Sequence, residues 1–229
     1  MQLVIDTALE KAHIALIEGK SLLAFRENSN ARDHARFVPI AIGEICREIG
    51  IQLTDLTGVV VVNGPGSYTG LRVGLSAAKG ICFALEKPLY ALSTLQVMAA
   101  ALIRLVKEKE IPLHESTLFC PMIDARRMEV FTGVYKKNLE PDRAPFAFIA
   151  NEHSLKELIG CSPFIFSGNG VGKLMHLLPP DSTAFPGFCY EPQDIIFLAD
   201  MTNDGAFISD IAYTEPFYIK EFFNPKRDI

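Results

Sequence analysis

The chain has 229 residues, 49% of them hydrophobic and 21% charged, with a formal net charge of −5. These values are typical of a soluble globular protein that forms one large domain or two small ones. They exclude strong unaided binding to nucleic acid, because phosphate contacts dominate that affinity and no long basic run is present. No apolar stretch approaches the roughly 20 residues of a membrane span, so no membrane association is expected.

The cysteines and the N-terminus predict the compartment. The first residues have the pattern of a strand, because Asp6 interrupts the apolar run, and they do not resemble a signal peptide. The cysteines are odd in number, widely spaced and without a C-x-x-C pair, which is typical of free thiols in a reducing compartment. We therefore expect a cytoplasmic protein with free thiols at Cys46, Cys82, Cys120, Cys161 and Cys189.

The first half of the chain alternates strands with helices. A cap at Asp33 would start one helix, and Ser93 or Thr94 would start another. A charged segment broken by Pro112 follows and is suited to a boundary between lobes 1–110 and 111–229. The predicted elements are strands 2–6, 12–18 and 21–27, helix 34–49, strand 58–62, helix 70–86, strand 89–92 and helix 94–109.

The second half repeats this order. The predicted elements are strands 117–123, 128–135 and 145–149, helix 153–159, strand 163–167, and helices 170–178 and 194–203. A short extended piece is expected at 213–220, and the tail from Asn224 should be disordered when no partner orders it. Two βββαβα units predict a duplicated α/β fold, ribonuclease-H-like, of the actin and sugar-kinase (ASKHA) superfamily.

Each repeat begins with a strand that ends in an acid, Asp6 or Asp124. In a duplicated fold the two carboxylates face each other across the cleft, where they would hold a hydrated magnesium and activate a nucleophile. Phosphate-binding turns usually carry a glycine after the acid, and neither turn does here. A structural capping role for each acid is therefore an equal alternative.

Two glycine-rich segments follow strands and are weak candidates for phosphate cradles. The first, Asn63 to Gly74, is spaced G-x-G-x-x-x-G, and no ribose-binding acid follows it. The second contains Gly168 and Gly170, but it lacks one residue of a P-loop and has Leu174 where Ser or Thr is needed. Tight strand-to-helix turns are the alternative for both. We predict no catalytic residue, no cofactor and no metal ligand.

Helices 34–49 and 70–86 carry more apolar positions than one sheet contact requires. Either both helices are enclosed in the core, or one face of each forms a contact with another protein. On the second hypothesis, Ala78→Glu would abolish pairing and leave the monomer folded. The residues assigned to this partner surface are Phe37, Val38, Ala41, Ile42, Ile45, Leu71, Arg72, Gly74, Leu75, Ala78 and Cys82.

The run N-G-P-G-S-Y-T-G-L-R-V-G at 63–74 closely resembles the hallmark of the TsaB (YeaZ) family of bacterial threonylcarbamoyladenosine (t6A) synthesis. The resemblance continues through 77–80, 123–127, Gly168-Asn169-Gly170 and 216–219. It implies an actin-like fold and a non-catalytic subunit that pairs with the transferase TsaD. With the ATPase TsaE, that pair would transfer a threonylcarbamoyl group to adenosine 37 of ANN-reading tRNAs. The resemblance also implies contact with tRNA only through the complex, and a homodimer when TsaD is absent.

The same resemblance distinguishes this chain from TsaD itself. TsaD carries an H-x-x-x-H metal site, and the matching positions here are Thr94 and Met98. Two positions depart from the TsaB pattern, with Met128 in place of Gly and Ala35 in place of Ser. The alternatives are a small nucleotide-binding kinase or hydrolase of the same superfamily, or a nucleotide-binding regulator. Without glycines at Asp6 and Asp124, we expect the isolated chain to bind ATP weakly.

Overall fold

A computed structural model describes residues 1–160, 162–180, 182–200 and 208–220. The helices and strands of the first half are β1 (Gln2–Asp6), β2 (Ala12–Glu18), β3 (Ser21–Asn28), α1 (His34–Ile49), β4 (Gly58–Gly64), α2 (Tyr68–Leu85), β5 (Leu89–Ser93) and α3 (Thr94–Glu108). Those of the second half are β6 (Leu118–Asp124), β7 (Glu129–Tyr135), β8 (Pro141–Ile149), α4 (Glu152–Ile159), β9 (Phe164–Gly168), β10 (Thr183–Pro186), α5 (Pro192–Asp200) and β11 (Ile208–Ser209).

The two sheets have the same topology, which confirms the duplicated fold. The first has the order β11-β5-β4-β1-β2-β3 and the second β10-β9-β6-β7-β8. In each, the first strand pairs antiparallel with the second and parallel with the fourth. Both strand-end acids therefore stand at the same position of their sheets. Each sheet is thus built on the same βββαβ order, which is the duplicated α/β fold that the sequence predicts.

Three helices determine where the core lies. The four valines Val59 to Val62 of β4 are fully buried because α2 covers one face of the strand and α3 the other. Helices α1 and α2 pack together on the outer face of the first sheet. Helix α3 lies between the sheets and contacts β4 and β5 as well as β6, β7 and β9. A helix that is apolar on nearly every side fits this enclosed position.

Most predicted elements lie within a few residues of the observed ones, and the differences have local causes. The helix expected at 170–178 is reduced to a 3₁₀ turn, Gly172–Leu174. The segment 213–220 forms no strand. Strands β10 and β11 were not predicted, because four and two residues carry too little periodicity. Predicted positions 201–203, Cys161 and the tail from Asn224 lie outside the described residues.

The chain returns to the first lobe near its end. Strand β11 pairs antiparallel with β5, with Ile208 opposite Tyr90. Farther along, Phe217 N donates a hydrogen bond to Asn63 O at 2.8 Å. Residues 208–218 therefore lie on the first lobe, although the sequence prediction placed them in the C-terminal one. The boundary at residue 110 stays a prediction.

Candidate functional site

Asp6 is completely buried, and both of its carboxylate oxygens have partners. Oδ1 accepts a hydrogen bond from Ala8 N at 2.9 Å. Oδ2 accepts one from the Tyr190 hydroxyl at 2.9 Å and lies 3.1 Å from Nδ1 of His13. Tyr190 lies 184 positions away in the chain, so the carboxylate ties the start of the first lobe to a late segment. These contacts favour the structural alternative for Asp6.

His13 is the imidazole partner of this buried acid. Its Nε2 also lies 3.3 Å from Oε2 of Glu27. Burial by itself lowers the pKa of His13, but the hydrogen bond and charge of Asp6, with help from Glu27, outweigh it and raise the pKa above its usual value. The imidazole and the Asp6 carboxyl group thus form a buried, hydrogen-bonded pair.

Asp124, at the equivalent position of the second sheet, has a different environment. Its side chain is 47% exposed and forms an ion pair with Lys173. Oδ1 also accepts a hydrogen bond from Arg126 N at 2.8 Å. Lys173 lowers the pKa of Asp124, against the opposing effect of partial burial. The acid is therefore ionised, and its cationic partner is a lysine of the chain itself.

A cleft of about 450 Å³ opens between the lobes. Its walls include His13, Tyr190 and Asn169, and neither strand-end acid is among its lining residues. Asn169 Oδ1 accepts a hydrogen bond from Asp124 N at 2.8 Å, which fixes the turn between β9 and the following 3₁₀ turn. Asp6 and Asp124, the two acids expected to hold magnesium, thus do not line this cleft, whereas Glu10 and Glu191 do.

The glycines of the 63–74 motif permit a close backbone approach. A Cβ atom on Gly66 would lie 2.1 Å from Ala8 O, and one on Gly70 would lie 2.1 Å from Thr7 O. Ser67 N donates to Ala8 O at 2.7 Å, and the Thr7 hydroxyl donates to Gly70 O at 2.6 Å. The motif is therefore packed against the turn after Asp6, which favours a structural role over a phosphate cradle.

The second glycine segment is used in the same way. Gly168 has φ +110°, and a Cβ there would lie 2.2 Å from Met122 O. A Cβ on Gly170 would lie 2.8 Å from Cγ1 of Val130, and Gly170 N donates to Met122 O at 3.1 Å. Both glycines let the turn pass close to β6 and β7. The tight-turn alternative is favoured here also.

The predicted partner surface requires correction. Most of its residues point toward the first sheet, and Ala78 and Cys82 have no exposed surface. Apolar residues at helical spacing define a stripe, but they do not say which of two stripes faces the sheet. Ala78→Glu would therefore unfold the monomer and is not a test of pairing. The buried residues are Val38, Ala41, Ile42, Ile45, Leu71, Gly74, Leu75, Ala78 and Cys82, whereas Phe37 is half-buried and Arg72 exposed.

An open apolar groove of about 600 Å³ lies between the outer faces of α1 and α2. None of its lining side chains is charged, and many are small, so another helix could approach closely. Phe83, three residues beyond Gly80 on α2, is 79% exposed. The groove is lined by Ala35, Val38, Pro39, Ile42, Gly43, Cys46, Leu53, Val73, Ser76, Ala77, Gly80 and Ile81.

Sequence reasoning missed a cluster beside this groove. The Arg72 guanidinium lies 4.0 Å from the centre of the Tyr68 ring, and its Nε donates to the Tyr218 hydroxyl at 3.1 Å. The two tyrosine rings are 5.2 Å apart. The segments 63–74 and 216–219 were both recognised as family motifs. Because 146 positions separate Arg72 from Tyr218, no local pattern indicated that these two residues are in contact.

Buried His34 makes stability depend on pH. Burial lowers its pKa, against the weaker opposing charges of Asp6 and Asp33, and neither ring nitrogen has a hydrogen-bond partner among the described residues. The unfolded chain, with an ordinary pKa near 6.5, therefore takes up a proton that folded His34 resists. We expect the free energy of unfolding to fall as the pH drops below about 6.5.

Urea unfolding at several pH values measures this effect. In His34→Gln the free energy of unfolding should fall less between about pH 7.5 and 5.5 than in the wild type, because glutamine does not titrate. His13, whose raised pKa acts in the opposite direction, is unchanged in both proteins. His114→Gln, at an exposed position, is the matched control. An equally steep loss in His34→Gln would assign the effect to another group.

In residues 1–160, 162–180, 182–200 and 208–220, no helix combines the length and apolar character needed to cross a membrane. Within the same residues, no three His, Cys, Asp or Glu side chains form a cluster that could hold a metal ion. Thr94 and Met98 are buried at the start of α3.

Comparison with known proteins places the chain in a family. The model of the family described as "TsaD: tRNA N6-adenosine threonylcarbamoyltransferase" matches residues 27–213. The chain is 32% identical over 134 residues to TsaB of Bacillus subtilis (strain 168), which covers 58% of this chain and 54% of that protein. It is 32% identical over 136 residues to TsaB of Escherichia coli (strain K12), covering 59% and 55%.

The sequence match to a TsaD protein is shorter than the matches to TsaB. The structural match to a YeaZ protein extends over nearly the whole chain. Identity to the transferase of Geobacter sulfurreducens is 33% over 116 residues, covering 44% of this chain and 34% of that protein. YeaZ from Pseudomonas aeruginosa superposes with a TM-score of 0.76 at 23% identity, covering 95% and 98%. In sequence, the chain spans about half the length of the curated relatives it matches. The chain belongs to the family of the tRNA N6-adenosine threonylcarbamoyltransferases, and within it to the TsaB (YeaZ) group.

Proposed function

We propose that this protein is a non-catalytic subunit that pairs with a TsaD-like transferase in the N6-threonylcarbamoylation of adenosine 37 in ANN-reading tRNAs. The names of the curated relatives support the pathway. In the same proposal a TsaE-like ATPase joins the pair in the cytoplasm, and tRNA binds to the assembled complex. Without the transferase, the chain forms a homodimer through the same surface.

The groove between α1 and α2 is the observation that carries this proposal. It is open and carries no charged lining side chain, and small residues such as Gly43, Ala77 and Gly80 line it on both helices. A helix pair of a partner that filled it would bury the exposed faces of α1 and α2 together with Phe83. A stable contact needs roughly 1,000 Å² of total buried area, so we expect two helices of each partner to take part.

The buried environment of Asp6 supports the non-catalytic part. A carboxylate that is fully enclosed and hydrogen-bonded to Ala8, His13 and Tyr190 has no position left for a hydrated magnesium. The kinase or hydrolase alternative would need this acid in the cleft. The kinase or hydrolase alternative therefore has less support than a partner role.

Ser76→Glu tests the pairing surface. Ser76 is exposed and lines the groove, so a glutamate there stays hydrated in the free monomer. In the complex the charge would be desolvated without a partner, which costs several kcal/mol, or about a hundredfold in affinity. We expect the variant to lose co-elution with the TsaD-like transferase in gel filtration, while circular dichroism and Tm stay as in the wild type.

Ser116→Glu, at an exposed position of the loop before β6, makes the same change away from the groove and should pair normally. Light scattering on the free chain measures the homodimer with the same two variants. If Ser76→Glu pairs with the transferase as tightly as the wild type, the partner surface lies elsewhere.

A further inference from the structure

We propose that a strip of cationic and aromatic side chains crossing both lobes is an RNA-binding surface, which contacts backbone phosphates and one unstacked base. The strip consists of Tyr68, Arg72, Tyr218 and Lys220 at one end, and Lys173, Arg126 and Arg127 at the other. The inference rests on the proposed function, because it gives this chain a part in holding the tRNA within the complex.

The first end of the strip is the Tyr68–Arg72–Tyr218 cluster. The guanidinium is exposed, and one tyrosine ring and one tyrosine hydroxyl hold its plane in a fixed orientation. Guanidinium and tyrosine planes are the groups on which proteins stack unpaired RNA bases. This cluster adjoins the apolar groove, because Arg72 precedes the groove-lining Val73, and on the cluster's side of α2 Lys79 Nζ donates to Thr214 O at 3.0 Å.

Lys220 connects this cluster to the second lobe. It follows Tyr218 by two residues and lies 2.6 Å from the Glu129 carboxylate at the start of β7. Lys173 contacts the same region, through Asp124 and the main-chain oxygen of Glu129. Two lysines therefore adjoin the turn between β6 and β7.

That turn presents the other end of the strip. Arg126 and Arg127 are exposed and have φ values of +70° and +47°, a conformation fixed by hydrogen bonds from Arg126 N to Asp124 and from Glu129 N to Arg126 O. Among the described residues, neither guanidinium pairs with an acid. Arginine suits phosphate because its planar fork can bind two oxygens at once.

The charged side chains and the tyrosine rings of the strip together indicate the kind of partner that it binds. Among the described residues, the strip carries five cations (Arg72, Arg126, Arg127, Lys173 and Lys220), of which Lys173 and Lys220 pair with Asp124 and Glu129, and exposed Glu215 lies three residues before Tyr218, in a chain whose formal net charge is −5. The positive charge is therefore concentrated here, against the overall balance of the chain. An acidic protein surface would account for the cations, and the Arg72 guanidinium between two tyrosines adds exposed planes on which an unpaired base can stack. RNA accounts for both.

The test uses the full chain bound to its TsaD-like transferase and an unmodified ANN-reading tRNA transcript, followed by fluorescence anisotropy from about 50 to 200 mM KCl. Removing two phosphate contacts with the double variant Arg126→Ala/Arg127→Ala should weaken binding about tenfold at 200 mM and reduce the salt slope by about 2. Arg72→Lys, which keeps the charge and loses the planar group, should weaken binding severalfold at an unchanged slope.

Lys136→Ala/Lys137→Ala removes two exposed charges beyond the opposite end of β7, about 25 Å away, and should bind RNA as the wild type does. Co-elution of every variant with the transferase is measured separately, so a loss of pairing is distinguished from a loss of RNA contact. If the chain does not pair with the transferase, the tRNA affinities of the same variants are compared by titrating the isolated chain into the tRNA at about 50 mM salt.

Wild-type affinity and slope in the Arg126/Arg127 double variant would overturn the proposal. Equal displacement of the RNA by poly-glutamate, at the same charge concentration, would also overturn it, since the strip would then select acidic protein rather than RNA.

Discussion

Gly70→Ala should destabilise the folded protein by about 2–4 kcal/mol. The added Cβ would lie 2.1 Å from Thr7 O, and a main-chain oxygen in a buried turn cannot move aside as a flexible side chain can. Relief requires α2 to shift away from the turn after Asp6, which would lengthen the 2.6 Å hydrogen bond from the Thr7 hydroxyl to Gly70 O. The loss follows from steric overlap and not from backbone preference, because alanine is the better helix former.

Gly80→Ala supplies the control on the same helix. A Cβ there meets nothing within 4 Å, so the change should stabilise the protein by about 0.5–1 kcal/mol through helix propensity alone. Urea unfolding of the two variants under one set of conditions measures both effects. Equal stabilities for Gly70→Ala and Gly80→Ala would mean that α2 does not approach the Asp6 turn closely.

Asp6→Ala should cost about 3–5 kcal/mol, because it leaves a buried histidine and a buried tyrosine hydroxyl without their acceptor. His13 and Tyr190 both bond to this carboxylate, and all three residues are buried. Asp124→Ala is the matched change at the equivalent strand end. Its side chain is half exposed and its partner is a lysine near the surface, so the expected cost is about 1 kcal/mol or less.

The pH dependence of this pair gives a second measurement. Because the folded pKa of His13 is raised, the stability it contributes is fully present below the unfolded value of about 6.5 and is lost as the pH rises through the folded value. The difference in unfolding free energy between wild type and Asp6→Ala should therefore be larger near about pH 6 than near about pH 9. In NMR titration the pKa of His13 should fall in the variant. An unchanged pKa of His13 would show that Asp6 does not hold the proton there.

Local patterns in the sequence were sufficient for the secondary structure and for the duplication. The valine run of β4, the apolar runs of β1 and β2 and the helical spacing of α1 to α3 each report on a few neighbouring residues, and they predicted these elements within a few positions. The glycine motif also identified the family to which the chain belongs. Where the pattern was short, as at β10, β11 and the 3₁₀ turn Gly172–Leu174, the prediction failed or was absent.

The tertiary structure decided what the important residues do. Asp6 and Asp124 end equivalent strands, yet only Asp6 is buried, because Tyr190 from a distant segment covers it. Ala77 and Ala78 are neighbours on a helix that is apolar on both sides, and only packing determines that Ala78 faces the sheet while Ala77 lines the groove. The contact of Arg72 with Tyr218 likewise exists only in the folded chain. Each of these outcomes depends on contacts between residues far apart in sequence, and such contacts have no local signature.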